Sequence, residues 1–410
     1  MPKTAAVRDP EPLKVLLLEN IHPGAREMLT AEGFAVDVLT HALPETELAA
    51  RMEGVQVLGI RSKTQVRDAV FEASGSLLTL GCFCIGTNQV ALEVANRRGV
   101  PVFNAPFSNT RSVAEMILAE IVMLARQLGD RTREVHAGQW KKTAAGCYEV
   151  RGKTLGIIGY GHIGSQVGVL AEALGLRVLF HDIQTKLPMG NNRACGSLDE
   201  LLAQADFVTL HVPATPQTKK LVSAAQLTRM RPGSYLLNAS RGNVVDIDAL
   251  ADALRGKHLA GAAIDVYPEE PATNSEGFQS ALRSLPNVVL TPHIGGSTTE
   301  AQASIGREVA TSLIRFVKTG ATVGAVNFPH VEMAANRDTH RLLNVHRNVP
   351  GVLRDINRIV SERNANVHAQ LLATDANIGY LLIDIDQDVS RSVGDAVAAL
   401  ETSIRTRVLS

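Results

Sequence analysis

The feature that most restricts the fold is a spacing of three glycines at a fixed place in a pattern. Gly159, Gly161 and Gly164 follow the apolar run TLGII and precede SQVGVLAEALG, whose apolar residues recur at helical spacing. A strand that turns into a helix through GxGxxG needs each glycine for a separate reason. The first permits the tight turn, the second lets backbone come close to a ligand, and the third lets the helix lie against the strand. The helix N-terminus then offers unpaired N–H groups and the positive end of its dipole to a diphosphate. About 20 residues on, at the end of the run RVLFHD, stands Asp182, placed to bond ribose hydroxyls. Together these predict a dinucleotide site. The charge on Asp182 repels a 2′-phosphate, which favours NAD over NADP.

The alternation of strand and helix runs along most of the chain. From residue 13, KVLLLE, FAVDVLT, VQVLGIRS, LLTLGCFCIG and VPVFNAP are short β-branched runs separated by amphipathic or polar stretches, the rhythm of βαβ units on a parallel sheet. A long helical pattern begins near Thr110. A second series, TLGIIGYGHIG, RVLFHD, DFVTLHV, SYLLNAS, LAGAAIDV and NVVLTPH, supplies the six strands of a full dinucleotide fold. The helix behind Ser297 returns the chain to the first domain. The predicted class is α/β, with two doubly wound, Rossmann-like domains: a discontinuous one over 1–109 and 297–330, and an NAD-binding one over 110–296. Residues 331–340 read as a polar linker. Beyond it the order becomes RLLNVH (strand), GVLRDINRIVSER (helix), NVHAQLLAT and IGYLLIDID (strands), VSRSVGDAVAALET (helix) and IRTRVL (strand), a βαββαβ order that predicts a ferredoxin-like module over 341–410.

The 41 basic and 41 acidic residues cancel, so no net field draws the chain to nucleic acid or to a membrane surface. A small molecule or another protein is the expected partner. Cysteines at 82, 84, 147 and 195 lack the paired spacing of a metal or redox site, so they are expected to be reduced, with no metal bound. The stretch MPKTAAVRDPEP has charges and prolines where a signal peptide has its apolar run, and no uncharged run approaches a membrane span, so a cytoplasmic location is expected.

Arg241 in NASRG, Glu270 in YPEEP and His293 in TPHIGG fall at or just beyond strand ends, where open α/β sheets collect ligands. Oxidising a secondary alcohol by hydride transfer needs a base for the hydroxyl proton, and histidine exchanges a proton near neutrality. A neighbouring carboxylate raises its pKa and fixes the ring, and an arginine can fork a substrate carboxylate. Singly, each has an ordinary alternative: a turn-closing arginine, a solvated loop glutamate, a buried histidine. Their company in one nucleotide domain is what points to catalysis. In the first domain Arg61 and Lys63 flank Ser62 behind a strand, either as a solvated basic loop or as a site for a multiply charged anion.

In this order, GYGHIG, the acid after the next strand, NASRG, DVYPEEP and TPHIGG resemble the D-2-hydroxyacid dehydrogenase family over residues 10–330. The resemblance implies that Arg241 orients substrate, Glu270 supports the histidine and His293 is the acid/base. It also implies NAD contacts from Gly159, Gly161, His162, Ile163, Gly164, Asp182, Ala239, Ser240, Arg241, Asp265, His293, Ile294, Gly295 and Gly296. GCFCIGTNQV and NAPFSNTRSVAE are similar to a bacterial branch acting on a phosphorylated 2-hydroxy acid. That implies reversible oxidation of 3-phospho-D-glycerate to 3-phosphohydroxypyruvate at the head of L-serine biosynthesis, with substrate contacts from Arg61, Ser62, Lys63, Asn109 and Lys142. Some relatives have a lysine where this chain has LTHA, so Thr40 or His41 leaves the pocket less positive. The C-terminal module resembles an ACT domain, in which His346, Asn348 and Asn366 match positions that bind L-serine between paired copies; this implies a homo-oligomer, a tetramer. Asparagines beside helices are also ordinary caps. Asp338 and Thr339 stand where some relatives carry a Gly-Gly hinge, while Gly295 and Gly296 keep another. Two other readings stay open: a dehydrogenase of the same fold for glycerate, hydroxypyruvate or 2-oxoglutarate, and a non-catalytic NAD-sensing scaffold.

Overall fold

The computed structural model describes residues 12–271, 277–334, 336 and 338–410, and the chain divides into two compact units, Met1–Ser108 with Gln302–Ser410, and Asn109–Ala301. The signal-peptide reading rests on residues 1–11 and part of the linker reading on 335 and 337, which lie outside the described residues.

The first unit opens with β1 (Lys14–Leu17), α1 (Pro23–Ala31), β2 (Ala35–Val38), α2 (Glu45–Arg51), β3 (Val57–Ile60), α3 (Asp68–Ala73), β4 (Thr79–Cys82), α4 (Leu92–Arg97) and β5 (Val102–Phe103). The strands form one parallel sheet in the order β2-β1-β3-β4-β5. β3 and β4 are buried along their whole length, as a parallel sheet covered on both faces requires.

The second unit holds α5 (Thr110–Arg126), α6 (Leu128–His136), β6 (Thr154–Ile158), α7 (His162–Ala173), β7 (Arg177–His181), β8 (Arg193–Ala194), α8 (Leu198–Gln204), β9 (Phe207–Leu210), α9 (Ala224–Arg229), β10 (Ser234–Asn238), α10 (Ile247–Arg255), β11 (Leu259–Ile264) and β12 (Val288–Leu290). Its parallel sheet runs β12-β11-β10-β9-β6-β7-β8, seven strands rather than the expected six. The extra one, β8, is two residues pairing with the edge of β7, too short to leave an apolar pattern. Strand order reverses between β6 and β9, so the crevice of the fold opens beside the glycine-rich turn.

The chain returns to the first unit within α11 (Thr299–Thr319), then forms β13 (His340–Arg347), α12 (Val352–Glu362), β14 (Val367–Thr374), β15 (Ile378–Ile385), α13 (Ser390–Ala398) and β16 (Ser403–Leu409). These four strands make an antiparallel sheet, β14-β15-β13-β16, with the expected βαββαβ order. α12 buries Val352, Ile356, Ile359 and Val360, one helical face, against one side of it. The other side is not solvated. Leu343, Val345, Tyr380 and Leu382 join Leu313, Phe316 and Val317 of α11, Leu17 and Phe103 of the parallel sheet and Phe34 just ahead of β2 in one core. Polar groups reinforce the join. Tyr380 donates to the Gly320 carbonyl at 2.7 Å and Arg407 to that of Val317 at 3.2 Å, satisfying carbonyls at and just beyond the C-terminal end of α11. Arg341 forks Asp384 at 2.7 and 2.9 Å and also donates to the carbonyls of Thr319, Met333 and Ala334. In the stretch expected as a linker, Val331 and Thr339 are buried. Among the described residues no helix is long and apolar enough to cross a membrane.

Candidate active site

The cofactor cradle lies at the C-terminal end of β6. Gly159 has φ +91°, and a side chain there would run into the backbone of His211; at Gly164 a side chain would run into the carbonyl of Gly159. At Gly161, by contrast, a Cβ would meet open space, and α7 starts there with no side chain capping its first amides. Exposed donors at the N-terminus of a three-turn helix, beside a glycine with room over it, fit a diphosphate, so NAD is suited to these residues. His162 and Ile163 open that helix. Asp182 is already tied down, accepting the Tyr160 amide at 2.8 Å and the Gln184 amide at 2.9 Å. Each oxygen retains a lone pair for a ribose hydroxyl.

At the end of β10, Asn238 shapes the turn that carries Ala239, Ser240 and Arg241. Its carbonyl accepts from the Ser240 amide at 3.0 Å and hydroxyl at 2.8 Å, and its amide donates to the Arg241 carbonyl at 3.0 Å. The Arg241 guanidinium donates to the Ser240 carbonyl at 2.6 Å. Behind β11, Glu270 accepts from the Tyr267 amide at 3.1 Å, which aims its other oxygen at His293 Nδ1, 2.8 Å away. His293 has φ +55°, a left-handed conformation uncommon for histidine and held here by its surroundings. The hydrogen bond and charge of Glu270 hold the His293 pKa above its ordinary value against burial and the charge of Arg241. Burial acts to raise Glu270, but the His293 hydrogen bond and charge, the Tyr267 amide and Arg241 outweigh it and hold the carboxyl low. Arg241, Glu270 and His293 therefore act on one another electrostatically.

Two further groups, Glu120 and His211, were not evident from the sequence as parts of this site, and Asp265 takes a role beyond the one expected of it. Asp265, 1% exposed, accepts from Thr291 Oγ1 at 2.6 Å, the Ile294 amide at 2.8 Å and the Gly295 amide at 2.8 Å. Beyond its expected NAD contact it is thus the anchor of the loop that carries His293. Glu120 on α5 is 3% exposed with Oε1 unpartnered among the described residues; burial, and then the Asp265 charge, push it up to about 8. His211, behind β9, is a second histidine beside the cradle, bonded to Thr209 Oγ1 at 3.1 Å. Burial pushes it down to about 3, so it stays neutral in the working range, whereas Glu270 holds His293 above its ordinary value.

Among the expected substrate residues, Asn109 stands at the N-cap position of α5 without a side-chain capping bond and Lys142 lies exposed in the second unit, while Arg61, Ser62 and Lys63 lie behind β3 in the first. Of the expected effector residues, His346 is 3% exposed and bonds Asn344 at 3.0 Å, with burial lowering its pKa. Asn348 and Asn366 are exposed. Asn348 follows β13 and Asn366 precedes β14; β15 lies between those strands, and the two asparagines sit at opposite ends of it. Seven residue steps of strand span roughly 23 Å. One small molecule cannot touch both in a single copy.

A parallel dinucleotide sheet with an open helix N-terminus at its switch point, and an arginine beside a histidine–carboxylate pair at its strand ends, defines a nicotinamide-dependent dehydrogenase. The family description "D-isomer specific 2-hydroxyacid dehydrogenase, NAD binding domain" matches residues 118–295, and "AHAS small subunit-like ACT domain" matches 342–405. Over 97% of its length the chain is 52% identical to D-3-phosphoglycerate dehydrogenase of Dictyostelium discoideum and 50% identical to that of Escherichia coli K12, covering 97% of each. Among solved structures it resembles the TT0316 protein of Thermus thermophilus, at 33% identity and TM-score 0.68 over 74% of this chain and 97% of that one. It also resembles D-lactate dehydrogenase of Aquifex aeolicus, solved with NAD and lactic acid, at 26% identity and TM-score 0.67 over 77% and 99%. The chain belongs to the D-isomer specific 2-hydroxyacid dehydrogenase family, in its NAD-binding branch with a C-terminal ACT domain.

Proposed function

We propose that this chain catalyses the reversible NAD-dependent oxidation of 3-phospho-D-glycerate to 3-phosphohydroxypyruvate, the step that opens L-serine biosynthesis. The observation that carries this is the 2.8 Å pairing of His293 with Glu270 under the charge of Arg241, in a chain half identical along its whole length to relatives named for that activity. NAD, held by the 159–164 turn and Asp182, would supply the hydride acceptor. His293 Nδ1 is committed to Glu270, which leaves Nε2 to take the hydroxyl proton. Glu270 stays ionised and stabilises the imidazolium that forms. Arg241 forks the substrate carboxylate and polarises the reacting carbon–oxygen bond. Arg61, Ser62 and Lys63, with Asn109 and Lys142, recognise the phosphate end. The division of labour assigns 1–109 with 297–330 to substrate, 110–296 to NAD and 341–410 to control.

L-serine is the effector, held by His346, Asn348 and Asn366. Because the two asparagines occupy opposite ends of one sheet, each site takes residues from two copies, so binding requires ACT modules paired head to tail. The chain is a homo-oligomer, and a tetramer follows if a second like-with-like contact exists. Leu128, Val135, Trp140 and Tyr148, all exposed on the second unit and Trp140 85% so, supply apolar surface suited to it. A polar path gives the effector a route inward. The Asn348 amide donates to the Asp375 carbonyl at 2.6 Å, and the Asp375 carboxylate accepts from Asn96 of α4 at 2.7 Å. Asn96 also bonds the carbonyl of Asn327, whose side chain accepts from the Val102 amide of β5 at 2.8 Å. Four cysteines, all free among the described residues, suit a cytoplasmic setting.

The test is loss of NADH absorbance on adding 3-phosphohydroxypyruvate. His293→Ala lowers turnover on the order of a hundredfold to ten-thousandfold while NADH binding persists. An intact protein that binds NADH and turns over no 2-oxo acid would leave the scaffold reading instead.

A further inference from the structure

Glu19 stands two residues beyond the C-terminal end of β1, where an open α/β sheet gathers its ligands, and yet the residue is buried, 8% exposed. Oε1 accepts from the Arg61 amide at 3.1 Å and the Thr64 amide at 2.9 Å, and Oε2 from the Lys63 amide at 2.9 Å. Its carbonyl receives the Arg61 guanidinium at 3.4 Å, and its own amide donates to the His41 carbonyl at 3.3 Å. Buried Gln89 donates to the Arg61 carbonyl at 2.7 Å. Glu19 and Asn20 both have left-handed backbone, φ +63° and +51°, which is uncommon for two successive residues with side chains.

Three amides converging on one point make a nest that would ordinarily receive an anionic ligand. Here a side chain of the protein fills it from beneath. Anion recognition therefore passes from the backbone to the side chains of the same loop, the exposed Lys63 and the half-buried Arg61, whose guanidinium the Glu19 carbonyl also holds, and their spacing is set by how Glu19 gathers the loop. The same residue also ties that loop to the 39–41 stretch through His41.

We propose that Glu19 is a positioning residue for phosphate recognition: it touches no substrate, and it holds the 61–64 loop in the one shape that converges Arg61 and Lys63 on the phosphate. This rests on the assignment of Arg61 and Lys63 to the phosphate end.

Glu19→Gln is the sharpest variant, because it keeps size and burial. A glutamine oxygen can still serve Arg61 and Thr64, but its amide then faces the Lys63 amide, donor against donor, so the loop loosens at Lys63. Steady-state kinetics with NADH should show the KM for 3-phosphohydroxypyruvate raised about tenfold, the size of effect expected from one lost charge-assisted bond, with kcat changed little. The KM values for unphosphorylated hydroxypyruvate and for NADH should hold. Adding Lys63→Ala to Glu19→Gln should cost much less than Lys63→Ala costs alone, because both disturb one contact. Glu19→Ala, measured in parallel, should show the same selectivity more strongly. A carboxylate that merely stabilised the fold would lower the melting temperature and harm both substrates alike. That result, with Lys63→Ala remaining selective for the phosphorylated substrate, would overturn the positioning role and leave the phosphate assignment standing. If Arg61→Ala and Lys63→Ala are themselves unselective, the assignment and this proposal fall together.

Discussion

Replacing Asp265 by asparagine exposes how the reacting histidine is held. The carboxylate is buried and receives three donors, Thr291 Oγ1 and the amides of Ile294 and Gly295. Asparagine offers one oxygen and an amide in its place. Whichever way it turns, the amide meets a backbone N–H, of Gly295 or of Ile294. One bond to a charged group is lost, about 1.5–3 kcal/mol, and one buried donor is left unpaired, about 1–3 kcal/mol, so after partial relaxation about 3 kcal/mol is expected. That loss falls on the segment that keeps His293 at φ +55°. At about 1.4 kcal/mol per tenfold, local opening of residues 291–296 becomes on the order of a hundredfold more frequent. Hydrogen exchange read by mass spectrometry over that peptide measures it directly, and kcat should fall with it because the base is in position less often. Protection of 291–296 and kcat both unchanged in Asp265→Asn would refute the anchoring role.

Other substitutions test separate links. Glu270→Gln removes the first cause of the raised His293 pKa, so the limb of the pH profile on which oxidation rises should move to lower pH; a stationary limb would mean the pair does not couple. Folded Glu120 holds its proton up to about pH 8, whereas the unfolded carboxyl releases it near 4.5, so its contribution to stability falls as pH rises through that window. Glu120→Gln should therefore gain stability over the parent on going from pH 5 to pH 8, on the order of a few kcal/mol in urea unfolding; a constant difference would place the carboxyl's titration elsewhere. Asp375→Ala cuts the bond to Asn96 and should leave uninhibited turnover and calorimetric serine binding in place while inhibition weakens several-fold. Full inhibition in that variant would exclude this route.

What the sequence discloses and what it withholds follow the range of each interaction. Gly159, Gly161 and Gly164 are legible because turn, backbone approach and helix packing constrain neighbours a few residues apart. Arg241, Glu270 and His293 are legible only as residues at strand ends, since no spacing tells which strands lie side by side. Asp265 and Ile294, Glu19 and Lys63, Asp375 and Asn96 meet across 29, 44 and 279 positions, and no periodicity records such pairings. The C-terminal module was separable by its strand order, yet its second apolar face was not assignable. Leu343, Val345 and Tyr380 would look the same whether they met another copy or, as here, α11 and the parallel sheet. For the same reason 331–340, polar in composition, gave no sign that Val331 is buried or that the carbonyls of Met333 and Ala334 receive Arg341.

The central claim is that this fold presents a catalytic pair to a phosphorylated 2-oxo acid, and the ratio of kcat/KM for 3-phosphohydroxypyruvate to that for hydroxypyruvate, with NADH saturating, tests it most directly. Two cations dedicated to the phosphate should give a ratio of at least about a hundred, collapsing toward one in the Arg61→Ala, Lys63→Ala double variant. A ratio near one in the intact protein, or a preference for hydroxypyruvate, would contradict it.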